Sequence, residues 1–124
     1  MKLLIPFIWL FSGLFYSGAE VSDDIVAAIK AGKAGELVKH FEEKVSIRII
    51  NQEDVLSKSQ AEANLKYFFE KHPVKAFNSV HVSSVNNSAQ YITGNLETAN
   101  GKFRISILIR RNLVSQFRIE NDND

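Results

Sequence analysis

The chain contains no cysteine, and this absence excludes several kinds of protein. A chain without thiols has no disulfide, no thiolate-bound metal and no cysteine to carry an N-terminal lipid. It is therefore not a small domain held together by disulfides. Packing of apolar side chains must supply its stability, and 45% of the residues are hydrophobic.

The chain also lacks an excess of charge of either sign. Its formal net charge is +1. The first nineteen residues contain one basic residue, Lys2, and no acidic residue, so the rest of the chain holds 14 basic and 14 acidic residues. A nucleic-acid-binding domain needs a basic field. We therefore expect no nucleic acid among the partners.

Residues 1–19 are expected to be a signal peptide. Lys2 precedes the uncharged, mostly apolar run 3–16, and the small residues Ser17, Gly18 and Ala19 follow at the cleavage position. The run is shorter than the roughly 20 residues that span a bilayer. The alternative is a retained membrane anchor. Cleavage predicts an exported protein, periplasmic or extracellular, without stable membrane insertion.

The remainder is long enough for one domain, predicted over 20–120, with a disordered tail at 121–124. Helical periodicity begins at Ser22 and is interrupted at Gly32–Gly35, which indicates two short helices, or one broken helix, ending near Lys44. A second helical stretch starts with the capping box Ser57-x-x-Gln60. Pro73 ends it, because proline disfavours helical geometry at the preceding residue.

Alternating apolar and polar residues predict strands at 45–49, 76–85, 89–97, 103–110 and 114–120. Residues 51–54 are polar and predict a turn, and the pair Asn100-Gly101 predicts a tight hairpin. Helices followed by a run of strands predict an α+β fold, with the N-terminal helices packed on a curved antiparallel sheet.

Several runs resemble a family of small exported bacterial proteins, domain of unknown function 4783, which is seen mainly in Bacteroidetes. The similar runs are DDIVAAIKAGKAGELVKHFEEKVSIRI, LSKSQAEANLKYFFEKHP, HVSS, YITGNLETANGKFRISILIRR and FRIE. The resemblance covers nearly all of 22–120. It implies the cone-shaped nuclear transport factor 2-like fold, whose sheet wraps a helix and can enclose a pocket. It implies no catalytic residue.

Enzymes with that fold commonly hold an Asp/His or Asp/Tyr pair inside the cone. Here none of the predicted inward-facing strand residues titrates; they are Phe103, Ile105, Ile107, Ile109, Phe117 and Ile119. His40 is expected on a solvated helix surface, and His81 on the strand face opposite Val80 and Val82. No His-x-His or His-x₃-His spacing occurs, so neither a metal site nor a cofactor is expected.

A polar stripe on the second helical stretch, formed by Gln60, Asn64, Tyr67 and Lys71, runs beside its apolar face. If this helix borders a pocket mouth, the stripe could bind a ligand; the alternative is an ordinary surface flank. The candidate pocket or rim residues are Tyr67, Phe68, Phe69, His72, Tyr91 and Phe103. For Phe68 and Phe69 we expect core filling rather than a reactive site.

The opposite face of the last two strands is a candidate dimer surface. Its predicted residues are Arg104, Leu108, Arg110, Gln116 and Arg118. The alternatives are a solvated outer face and a surface that binds an anionic polymer.

The sequence therefore favours an exported, non-enzymatic binding module, homodimeric and able to take a small hydrophobic or amphipathic ligand. Two other hypotheses stay open. One is an enzyme of isomerase or hydrolase type that uses His81 or Tyr67 with an unidentified partner. The other is a structural accessory of an envelope complex.

Overall fold

The structure, a computed structural model, describes residues 21–122, so the predicted signal peptide at 1–19 lies outside the described residues. The helices are α1 (Val21–Ala31), α2 (Ala34–Val38) and α3 (Lys58–Lys71). The strands are β1 (Phe41–Ile49), β2 (Gln52–Ser57), β3 (Val74–Asn86), β4 (Ala89–Thr98), β5 (Gly101–Arg110) and β6 (Leu113–Asn121). The predicted α+β class is confirmed. Within the described range, no helix is both long and apolar enough to cross a membrane.

The six strands form one sheet in the order β2-β1-β6-β5-β4-β3. Neighbouring strands are antiparallel except β1 and β6, which are parallel, with Ile47 opposite Phe117. This corrects the prediction of a wholly antiparallel sheet. β6 is the last strand of the antiparallel meander β3–β6, and it lies between β5 and β1 in the sheet. It runs in the same direction as β1, so these two neighbours are parallel.

The N-terminal helical region ends at Val38 rather than near Lys44, and β1 begins at Phe41. Phe41 and Val45 are both buried. The Phe41 ring packs against Phe117 with centroids 5.8 Å apart. Burial of Phe41 against the sheet therefore extends β1 through residues that the sequence placed in a helix.

The predicted turn at 51–54 is wrong for most of its length, because β2 already begins at Gln52. β2 is an edge strand whose residues are exposed or half-buried, so neither of its faces imposes an apolar-polar alternation. The capping box of α3 forms as predicted, because the Ser57 hydroxyl accepts from the Gln60 amide and the Gln60 side chain accepts from the Ser57 amide.

The core lies between the helices and one face of the sheet, which we call the inner face. All six strand residues predicted to point inward, from Phe103 to Ile119, are buried. Three α3 residues, Leu65, Phe68 and Phe69, join α1 and α2 in covering them. The face on the other side of the sheet is called the outer face.

Two boundaries differ slightly from expectation. The β4–β5 turn is centred on Ala99 and Asn100, since Thr98 pairs with Gly101. The predicted tail began at Asn121, yet Asn121 belongs to β6 and Asp122 contacts Arg104 with an N···O distance of 3.1 Å. Residues 123–124 lie outside the described range.

Candidate functional site

An open groove of about 350 Å³ runs between α3 and the β1–β2 hairpin. We call it the α3–hairpin groove. One wall is made by the α3 side, with Asn64, Tyr67, Phe68, Lys71 and His72, and the other by Ile49, Ile50 and Gln52. The polar stripe predicted on α3 thus borders a groove through Asn64, Tyr67 and Lys71. Gln60, the fourth member, serves the capping box instead.

His72 is held in a fixed orientation at one end of this groove. Its ring stacks on Phe68, with centroids 4.4 Å apart and planes at 18°. Phe103 packs edge-on against His72, with ring centroids 5.1 Å apart and ring planes at 89°. The His72 Nδ1 lies 3.1 Å from the Phe68 carbonyl oxygen. Two aromatic rings and one hydrogen bond therefore restrain the imidazole.

This hydrogen bond determines what the other ring nitrogen offers. A carbonyl oxygen only accepts, so Nδ1 must carry the proton and donate it. In the neutral ring, Nε2 is then a hydrogen-bond acceptor. Within the described residues Nε2 has no hydrogen-bond partner, and it is not among the buried atoms that lack one. In the neutral ring, Nε2 is therefore a solvent-open acceptor on a residue that lines the groove.

The mouth of the groove carries a phenol and an ammonium group. Tyr67 is 62% exposed. The Lys71 Nζ lies 5.3 Å from the centroid of the Tyr67 ring, a cation–π distance. The carbonyl of Lys71 accepts a hydrogen bond from the Asn100 side chain, which ties the end of α3 to the β4–β5 turn. None of the described residues that line the groove carries a carboxylate.

The opposite wall contains a strained residue. Ile50 has φ of 59°, a left-handed conformation that is costly for a β-branched side chain. Its amide donates to the Ile119 carbonyl at 2.7 Å, which anchors the turn. Strained residues persist where the surrounding structure fixes them, often at functional sites. The sequence did not single out Ile50, because the hairpin was read as a turn.

The remaining candidate pocket residues divide between the two faces of the sheet. Phe68, Phe69 and Phe103 are buried in the core. The Phe68 ring packs edge-on against Phe103 at 5.2 Å and lies 5.8 Å from Phe69. Tyr91 pairs with Leu108 on the outer face, which corrects its placement among the pocket residues. The register decides this, since the next residue, Ile92, is opposite buried Ile107.

The five candidate dimer residues do share the outer face, as the alternation predicted. Their arginines, however, are not all available to a partner. Arg104 pairs with Asp122 at 3.1 Å, and Arg118 pairs with Glu120 at 3.4 Å. Arg110, which is exposed, takes no part in an ion pair within residues 21–122.

Sequence reasoning missed a further arginine on that face. Arg48 on β1 lies 3.0 Å from Glu53 of β2 and 3.4 Å from Glu120 of β6. The Nε contact with Glu120 is ionic and lacks hydrogen-bond geometry. The alternation of Arg48 with Ile47 and Ile49 was the available indication that it points outward. Arg48, Glu53 and Glu120 therefore neutralise one another's charge within the chain.

The other two histidines lie away from the groove. His40 precedes β1 and lies in a shallow depression beside α1 and α2 with Lys33 and Glu36. His81 is exposed on β3 opposite Thr93. His81 and Tyr67, the residues named for the enzyme alternative, therefore belong to different surfaces. Over residues 21–122, no group of three or more His, Cys, Asp or Glu side chains could hold a metal ion.

The chain matches one protein-family model and several solved structures. The family model "Domain of unknown function (DUF4783)" matches residues 22–121. A crystal structure of a DUF4783 family protein from Bacteroides uniformis is 31% identical, with a TM-score of 0.77 over 82% of this chain and 97% of that one. One from Bacteroides ovatus is 30% identical, with a TM-score of 0.75 over 82% and 94%.

A more distant structure is similar in fold alone. It is a domain of unknown function with a cystatin-like fold from Nostoc punctiforme, 9% identical, with a TM-score of 0.63 over 84% of this chain and 74% of that one. None of the curated proteins matches the chain. The family match spans residues 22–121, nearly all of the described range, and the family membership predicted from the sequence is confirmed: the chain belongs to the DUF4783 family.

Proposed function

We propose that the protein is an exported, non-enzymatic binding module that holds a small amphipathic ligand in the α3–hairpin groove. The observation that carries this proposal is the fixed His72 imidazole, with Nε2 open, at the end of a groove of ligand size. Ligand sites are mostly apolar clefts of about 300–1,000 Å³ with a few positioned polar groups. The groove has this composition.

The polar groups define the ligand class. When the His72 ring is neutral, Nε2 accepts, so a ligand of that form should donate a hydrogen bond from a hydroxyl or N–H group. Its apolar part would lie against Ile49, Ile50 and Phe68. Lys71 at the mouth would tolerate a negative charge on the ligand, because none of the lining residues between 21 and 122 is acidic.

The experiment compares three probes of similar length: octan-1-ol, octanoate and dibutyl ether. Isothermal calorimetry and thermal unfolding are measured with each. Octan-1-ol should bind and raise the melting temperature, since a ligand at a hundred times its Kd stabilises by about 2.7 kcal/mol. Dibutyl ether, which has no donor, should bind more weakly. Equal affinities for all three would contradict a role for His72, and no binding would contradict the proposal.

We propose also that the sheet and helices form the cone of the nuclear transport factor 2-like fold. The support is that α1 and α3 both contribute buried residues to the one core on the inner face of the sheet. Phe68 and Phe69 would then fill the cone, and recognition would occur at its rim. An experimental structure would test this; a flat sheet or an empty interior would contradict it.

Export and dimerisation complete the proposal. The exported chain would lack residues 1–19, which intact-mass measurement of the protein recovered from the periplasm or medium would detect. An uncleaved mass would contradict removal of the leader. The protein would be a homodimer.

A further inference from the structure

The two edges of the sheet differ in how they are protected. β2, at one edge, is short and carries the adjacent acidic residues Glu53 and Asp54. Charged side chains and short length are the usual means by which proteins prevent an edge strand from pairing with another chain. This edge is therefore blocked.

β3, at the other edge, is neither short nor charged in its C-terminal part, although its ladder with β4 shifts register between Asn78 and His81 and between Ser84 and Asn86. It is 13 residues long, and its last nine residues, 78–86, are exposed except for half-buried Val80. Val82 is 46% exposed and Val85 is 59% exposed. No Lys, Arg, Asp, Glu or Pro occurs between residues 76 and 96. We call residues 78–86 the free edge.

The backbone of the free edge is paired on one side. β3 forms its ladder with β4 and with no other strand among the described residues. Over residues 21–122, no other backbone hydrogen bond involves 78–86. α1 packs against β3, where the Val74 side chain lies beside Gly32. The outward N–H and C=O groups of the free edge are thus available to another strand.

We propose that a second copy of this chain pairs its own free edge here, β3 against β3 and antiparallel. The pairing would join the two six-stranded sheets into one continuous sheet. This inference rests on the homodimer proposed above and names the surface that it uses, an edge rather than the outer face.

The charge pattern favours a second copy over a different protein. A two-fold interface places the same patch against itself, so any charge near the axis faces an identical charge. An uncharged edge avoids that repulsion. With the axis perpendicular to the sheet, the inner faces lie on one side, so the exposed Val82 side chains of both copies would approach each other. The outer face, in contrast, already neutralises Arg104 and Arg118 within the chain.

The experiment uses the full-length chain, expressed with its own leader and purified in the form that the cell produces. Its mass is measured by light scattering and sedimentation over a range of concentrations. The wild-type protein should be a dimer. Val82→Lys should raise the dimer dissociation constant by about 100-fold or more, because like charges facing each other cost several kcal/mol.

Two variants serve as matched controls. Val55→Lys makes the same change at a 69% exposed valine on the blocked edge, and Leu108→Lys makes a similar change on the outer face. Both should remain dimeric. If Leu108→Lys dissociates and Val82→Lys does not, the free-edge pairing is overturned in favour of the outer face. A wild-type monomer overturns self-pairing and leaves a strand of another protein as the occupant.

A second readout covers the case in which Val82→Lys fails to fold. Because the chain has no cysteine, Ser83→Cys or Val55→Cys introduces a single thiol that can carry a spin label. The distance between labels in the dimer should be shorter for Ser83 than for Val55, and the reverse order would overturn the proposal. Octan-1-ol binding to Val82→Lys is measured in parallel, so that loss of the dimer and failure of the groove are distinguishable.

Discussion

His72 stacks on Phe68 one helical turn before it, with ring centroids 4.4 Å apart, while its Nδ1 donates to the Phe68 carbonyl. This relationship links the core to the groove. Phe68 is buried and packs against Phe103. The packing of the core therefore fixes the orientation of the His72 ring. The Nε2 atom is therefore preorganised for a ligand without any loop having to close.

Replacing His72 by phenylalanine should separate the two roles of the ring. His72→Phe keeps an aromatic side chain between Phe68 and Phe103, and the residue 72 amide still donates to the Phe68 carbonyl. The free energy of unfolding should change by less than about 1.5 kcal/mol. The affinity for octan-1-ol should fall roughly tenfold, as for one lost hydrogen bond. Unchanged calorimetric affinity would show that Nε2 does not bind the hydroxyl.

Phe68 and Tyr67 are neighbours in sequence with opposite environments, 3% and 62% exposed. Phe68→Ala should lower the free energy of unfolding by about 3–5 kcal/mol, because it empties a packed interior. Tyr67→Ala, the matched control, should change it by less than about 0.5 kcal/mol. Urea titration checks both. A small cost for Phe68→Ala would indicate that this ring lines an open cavity instead of filling the core.

Ile50→Gly tests whether the strained turn serves the groove. Glycine removes about 1–2 kcal/mol of left-handed strain, and it loses a half-buried side chain and about 0.5–1 kcal/mol through the more flexible unfolded chain. These effects nearly cancel, so stability should change by less than about 1 kcal/mol. The octan-1-ol affinity should nevertheless decrease, because the wall loses one of its two isoleucine side chains. A large loss of stability would instead make Ile50 a core residue.

Gly94 on β4 lies beneath the ring of Phe77 on β3. A Cβ at position 94 would stand 2.6 Å from the Phe77 Cε1 and Cζ atoms. Gly94→Ala should therefore destabilise the protein by about 1–3 kcal/mol, as overpacking does. In a Phe77→Leu background the same change should cost clearly less, and a double-mutant cycle measures the coupling. Additive effects would contradict the contact.

The sequence predicted best the elements whose two faces differ. β5 and β6 alternate cleanly because one face is buried and the other is not. β2 was missed because none of its residues is fully buried and its first three residues are polar and exposed, so this run resembles a turn. Adjacent Tyr91 and Ile92 gave no clear alternation, and only the pairing with β5 assigns their faces. The parallel contact between β1 and β6 joins segments far apart in the chain, which local periodicity does not report.

The sequence predicted one of the two walls of the groove. The stripe of Asn64, Tyr67 and Lys71 marked the helical wall, since polar residues beside an apolar face indicate a helix border. The facing wall, with Ile49 and Ile50, could not be found in the same way. It depends on a hairpin register and a left-handed isoleucine, neither of which has a reliable sequence pattern.

The most direct test of the account is a nuclear magnetic resonance titration of the ¹⁵N-labelled protein with octan-1-ol. Ligand binding in the α3–hairpin groove predicts that the amide shifts cluster at residues 49–52 and 64–72, and that they are lost or weakened in His72→Phe. Shifts confined to other surfaces, or no shifts at concentrations that saturate the probe's solubility, would contradict the central claim.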